Sequence, residues 1–132
     1  MTQIVGATKD RTRNRVILDT GQESNVLCGA DILLSGVYQN LKGESSCPVC
    51  ERKIEVIVEN ERIFSINPPS ALLHYVVENP SILSICCAGT FLFDREECLN
   101  SWLQSYKDSP GKVSSLTDFM NLAVASRGQA LN

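Results

Sequence analysis

Long apolar runs are missing from this chain. No stretch reaches the roughly 18–20 apolar residues that a membrane helix needs, so no membrane partner is expected. A basic start followed by an apolar segment is missing too. Thr8 to Asn14 is polar throughout, so no secretory leader is read and the chain is expected in the cytoplasm. An excess of positive charge is also lacking. Lys and Arg number 12 against 15 Asp and Glu, for a net charge of −3, and nucleic acid finds no electrostatic reason to bind. Lys9, Arg11, Arg13 and Arg15 are the one basic stretch, and they read as a solvated arm. Internal repeats and low-complexity tracts are absent. Histidine is nearly so: His74 is the single one, and an isolated histidine reads as a core or surface residue before it reads as a ligand. At 132 residues the chain suffices for one domain with a core and is short for two.

Cysteine is what the chain has in excess. There are six, arranged as Cys28-Gly-Ala-Asp31, Cys47-Pro-Val-Cys50, Cys86-Cys87 and a separate Cys98. Such density implies redox chemistry, a disulfide framework or a soft metal. In a reducing cytoplasm stable disulfides are disfavoured, which moves metal and thiol chemistry forward.

The order of elements indicates an α+β domain, a small mixed β-sheet with packed helices. Residues 1–14 read as a loose arm and Arg15 to Asp19 as a short strand; the domain proper is set at 21–132, with 1–20 as the N-terminal arm. Asn25 is placed to cap a helix starting near Leu27. Ile32, Leu33, Val37 and Leu41 follow at helical spacing, and Gly43 ends it. Pro48 stiffens a tight turn from Cys47 to Cys50. Ile54, Val56 and Val58 alternate along a half-buried strand, Asn60 turns the chain, and Arg62 to Ile66 returns. Ala71 to Val77 leans towards strand. Ile82 to Phe93 is a continuous apolar run, which reads as a buried central strand. Asp94 with Glu97 resembles a capping box opening a helix to about Tyr106. Ser115 with Asp118 opens a last helix through Ala125, closed at Gly128.

The thiols then divide by context. Cys28 falls near a helix start, where the macrodipole favours thiolate. Asp31, three residues on, shares its helical face. A thiolate beside a carboxylate makes sense around a cation, or where the carboxyl carries a proton for transfer; the alternative is a buried cysteine beside an ordinary first-turn Asp. Cys47-x-x-Cys50 is a metal knuckle or a redox pair. It is not followed by a helix, which speaks against a thioredoxin-like role. No second C-x-x-C supplies two more ligands, and Cys86 or Cys87 is a candidate to complete a site. Cys86 and Cys87 face opposite sides of a strand, so one joins a site and the other packs. Cys98, mid-helix near Trp102, is assigned to the core. Two or three convergent thiolates would select a soft cation: mercury, copper(I), zinc or cadmium.

Taken together, Cys28-Gly-Ala-Asp31-Ile-Leu-Leu, then Ser45-Ser46-Cys47 leading into a strand, then Ser84-Ile-Cys86-Cys87 before an apolar-aromatic run and a Trp-containing helix, resemble the alkylmercury lyase (organomercurial lyase, MerB) family. The resemblance runs from about Val26 to Ser126. It implies catalytic roles for Cys28, Cys86 and Asp31, with Cys47 matching a family cysteine of structural role. The implied reaction is protonolysis of a carbon–mercury bond: two thiolates hold the mercury and the aspartic acid protonates the carbon. No cofactor is required, Hg(II) is the bound product, and small thiols or a metal-accepting protein would remove it. Only 27 residues precede Cys28, whereas the family carries a helical domain before its catalytic core, so a more open site is expected. Cys50 is a further departure. Cys28, Cys86, Cys47 and Cys50 are therefore all candidate metal ligands. The competing reading is a non-enzymatic Hg, Cu(I) or Zn protein, a chaperone or sensor on the same fold. A structural domain with core cysteines is the third.

Overall fold

The computed structural model describes residues 13–79, 84–106 and 111–131, and within them not the side chains of 78, 79, 84, 86–88 and 127–131. Of the arm expected at 1–20, residues 1–12 fall outside these residues, whereas 14–18 form a strand paired on both sides within the sheet. Strands β1 (Asn14–Leu18) and β2 (Glu23–Val26) come first, followed by helix α1 (Gly29–Gly36). Then come β3 (Leu41–Ser46), β4 (Lys53–Glu59), β5 (Arg62–Asn67), β6 (Leu72–Asn79) and β7 (Ser84–Phe93). Helix α2 (Glu96–Ser105), β8 (Lys112–Ser115) and helix α3 (Leu116–Leu131) complete the described chain.

The α+β class holds, but the strands form two antiparallel sheets instead of one mixed sheet. The first has the order β2-β1-β3-β4-β5 and the second β7-β6-β8. Short connections account for the β1–β2, β3–β4, β4–β5 and β6–β7 pairs, since such turns join antiparallel neighbours; β1–β3 and β6–β8 are antiparallel across longer excursions of the chain. The β4–β5 hairpin turns on Asn60 and Glu61, both at positive φ (54° and 63°), the geometry that suits the twist of a two-residue connection.

Helix α1 packs on both sheets and against α3. It is shorter than its sequence predicts. Cys28, in extended backbone, is the N-cap, and Asn25 lies in β2. The helix stops at Gly36, so Leu41 and Gly43 belong to β3. The helical spacing of Leu41 is therefore a coincidence of phase, and β3 forms because β1 and β4 pair with it on either side. Gly43 has a packing role instead of a capping one. A Cβ there would stand 2.2 Å from Ile32 Cγ2, so the absence of a side chain lets α1 settle on the sheet. At the other contact, a Cβ on Gly29 would meet Leu92 Cγ at 2.8 Å, which seats the start of α1 directly against β7.

Strand β7 is at an edge of its sheet and not at the centre. Its apolar run is explained by the helices that cover it, α1 and α2. Its pairing with β6 is also broken. His74 pairs with Phe91 and Val76 with Cys86, so a wide bulge separates Phe91 from Cys86, with Gly89 at φ 82° inside it. Helix α2 is docked by Trp102, whose ring centre lies 5.6 Å from that of Phe93 and 5.8 Å from that of Phe91. The last helix starts as expected, with the Asp118 amide donating to Ser115 Oγ at 3.0 Å, but it continues through Gly128 to Leu131.

Candidate active site and thiol cluster

Cys28 sits at the joint between β2 and α1. It is fully buried, and its carbonyl accepts from the Asp31 amide at 3.1 Å. Asp31 is the acidic residue of the first turn. It lines an open cleft of about 420 Å³ with Asn25, Val26, Leu27, Leu34, Ser35 and Tyr38. The thiol and the carboxyl thus stand one helical turn apart, with the carboxyl on the solvent side. Cys86 lies on β7, the strand on which α1 packs. Its side chain, like that of Cys87, is among those the structure does not describe.

The second pair of expected ligands goes elsewhere. Cys47 and Cys50 occupy the β3–β4 connection. There the Cys47 amide donates to the Arg52 carbonyl at 2.9 Å and the Glu51 amide to the Cys47 carbonyl at 2.8 Å. Glu51 takes φ 64° to close the turn. These bonds fold the knuckle back so that both sulfurs face one point. Asp94 and Cys98 meet them there. The ligand atoms of Cys47, Cys50, Asp94 and Cys98 all lie within 4.8 Å of one another. Cys28 and Asp31 are not part of this cluster.

Asp94 is the main surprise. The capping box gives it to α2 as N-cap, yet Arg95 is the N-cap and makes no side-chain capping bond. The Asp94 side chain instead points inward, 1% exposed. Ser70 Oγ donates to its backbone carbonyl at 2.6 Å and fixes it there. Neither carboxylate oxygen has a hydrogen-bond partner, and Arg95 Nε stands 3.8 Å from Oδ2. Burial raises the pKa of this carboxyl, but the nearby thiols of Cys98, Cys50 and Cys47, together with Arg95, outweigh it and hold the group below its ordinary range. Cys98 is buried, as expected of a core residue, but it faces these groups. Desolvation, with Asp94 and the other thiols beside it, pushes its thiol up to about 12 although Arg95 pulls the other way. The signal in the sequence was Asp94-x-x-x-Cys98, one helical turn apart, which the capping reading had already absorbed.

His74 is buried among aromatic rings, its centroid 4.9 Å from Trp102. Its Nδ1 lies 2.8 Å from the Gly89 carbonyl and must carry the proton there, since a carbonyl only accepts.

The alkylmercury lyase family model matches residues 8–128. The chain belongs to the alkylmercury lyase family. Among solved structures it is similar to the mercury-bound form of MerB2, at a TM-score of 0.73 and 19% identity, over 91% of this chain. No curated protein matches. The chain spans 59% of the length of the MerB2 chain. At this identity the likeness concerns the fold, and the two antiparallel sheets with their packed helices are that fold. Within the alkylmercury lyase match fall all the residues expected to act: Cys28 at the N-cap of α1, Asp31 in its first turn, Cys86 on β7, and the Cys47–Cys50 turn. Among the described residues no helix is long and apolar enough to cross a membrane.

Proposed function

We propose that this protein cleaves carbon–mercury bonds by protonolysis, releasing a hydrocarbon and Hg(II). The observation that carries the reading is Cys28 as the N-cap of α1 with Asp31 in its first turn, on a helix packed against the strand that bears Cys86, in a chain of the alkylmercury lyase family. The catalytic unit is residues 21–132, with the N-terminal segment contributing β1.

The chemistry follows from the residue types. Cys28 as thiolate displaces a small thiol from R–Hg⁺ and binds the metal. A second thiolate, Cys86, adds electron density to mercury and through it to the bonded carbon. Asp31, protonated and on the side of the open cleft, gives its proton to that carbon. The carbon–mercury bond breaks, R–H leaves, Asp31 is left as carboxylate, and Hg(II) remains on two thiolates. Small thiols from solution then remove it and the proton on Asp31 is restored from water. Soft sulfur suits a soft metal, and a positioned acid contributes typically 10²–10⁴-fold. The buried sulfur of Cys28 favours the reaction by excluding water around it. A reducing cytoplasm fits, because the described cysteines must remain thiols.

The test is methylmercury with excess small thiol and measurement of headspace methane. Asp31→Asn is expected to lower the rate by about 10²–10⁴-fold while mercury still binds. Cys28→Ser is expected to lose both. Methane formation unchanged in Asp31→Asn would remove this carboxyl from the mechanism.

A further inference from the structure

We propose that Cys47, Cys50, Cys98 and Asp94 form a structural zinc site that ties the two sheets together, apart from the site at Cys28 and Asp31. Four observations converge on it.

The first is distance. A tetrahedral site with zinc–sulfur bonds of about 2.3 Å has edges of about 3.8 Å. The four ligand atoms already lie within 4.8 Å of one another, so no edge needs to close by more than about 1 Å. The second is the donor set. Three sulfurs in a C-x-x-C plus one, with a single carboxylate oxygen, match a four-coordinate zinc. They do not match magnesium or calcium, which take oxygen ligands. The third is the state of Asp94. A buried carboxylate with no hydrogen-bond partner is costly, and a cation among the thiols relieves that cost. The carboxylate is an independent pointer because nothing in α2 uses it: the helix starts at Arg95 without its help. Arg95, which stands beside Asp94, lowers the negative charge that four anionic ligands would leave around a divalent ion.

The fourth is topology. Cys47 and Cys50 belong to the β3–β4 turn of the larger sheet. Asp94 follows β7 of the smaller one, and Cys98 is on α2, which packs on that strand. A metal here links elements far apart in the sequence, from the Cys47–Cys50 turn to Asp94 and Cys98. Cys50 is exposed while the other three are buried, which gives an ion a way in. The site does not depend on the lyase reading and would stand in a protein with no turnover.

The full chain, purified under reducing conditions, is incubated with zinc(II) alone, freed of excess by a weak chelating resin and assayed for metal per chain. One zinc is expected in the unmodified chain and in Cys28→Ser. Cys50→Ser and Cys98→Ser are expected to weaken binding by at least the roughly 10–100-fold that even outer partners of a metal contribute. Cobalt(II) alone should give tetrahedral visible bands with near-ultraviolet thiolate charge transfer, lost in the same variants. Because Cys50 is exposed, its serine variant keeps the core, and its loss of metal is not a loss of fold. Zinc should raise the Tm of the unmodified chain and leave that of Cys50→Ser unmoved. Substoichiometric zinc, zinc kept by both Cys50→Ser and Cys98→Ser, zinc lost in Cys28→Ser, or binding with no change in Tm would overturn the site.

Discussion

At the scale of single residues, environment separates side chains that look alike in the sequence. Two aspartates follow the same rule of thumb, each near a helix start, yet Asp31 lines an open cleft and Asp94 is buried against thiols. Only the first lines a cleft open to solvent. His74 offers a cleaner test of burial. Desolvation lowers its pKa, although the Gly89 carbonyl acts in the opposite sense. The fold therefore holds a neutral ring. As pH falls below the ordinary value of 6.5, the unfolded chain takes up a proton that the native chain refuses, so this residue's contribution to stability is lost downward. The urea midpoint is expected to drop between pH 7 and pH 5 by an amount equivalent to at most about 1.4 kcal/mol per pH unit. His74→Gln should flatten that part of the profile. A profile identical to that of the unmodified chain would show that another group titrates.

At the scale of elements, the sequence was legible where local pattern and tertiary demand agree. Ile54, Val56 and Val58 alternate along β4 and are buried as a row, and Asn60 marks the turn. Ser115 caps α3 as its spacing with Asp118 indicates. It was less legible where pairing overrides propensity. β3, with Lys42, Gly43 and Glu44 in its middle, is a poor strand by composition and exists because two neighbours hold it. β7 reads as central because it is apolar, but helices and not strands cover it. For the site, Cys28 and Asp31 are visible as a motif, whereas Asp94 and Cys98 join Cys47 and Cys50 only once the fold carries α2 to the β3–β4 turn. The packing of α1 on β3 can be tested directly. Gly43→Ala places a methyl against Ile32 Cγ2 and should cost roughly 1–3 kcal/mol, read from the urea midpoint. Combined with Ile32→Ala, the total should be smaller than the sum of the two single changes, since the residues share one space. Additive costs would mean that the helix shifts and does not clash.

At the scale of the whole molecule, the two proposals give the cysteines different tasks. Cys28, buried at the start of α1, is assigned to the mercury chemistry. Cys47, Cys50 and Cys98, gathered between the sheets with Asp94, are assigned to structure. Ion pairs on the larger sheet such as Lys42 with Glu55 at 3.1 Å join partly exposed side chains and contribute little each. The junction between sheets is then the part whose loss would loosen the packing of α1 on β7. If the zinc site holds that junction, chelation should lower the Tm and slow mercury chemistry together, and zinc should restore both.

The central claim is that this chain performs protonolysis with its own residues. The most direct measurement is single-turnover methane release from methylmercury by the full chain in deuterated water. One equivalent of singly deuterated methane per mercury, abolished on the same timescale by Asp31→Asn, is the predicted result. Mercury held one to one with no methane would contradict it.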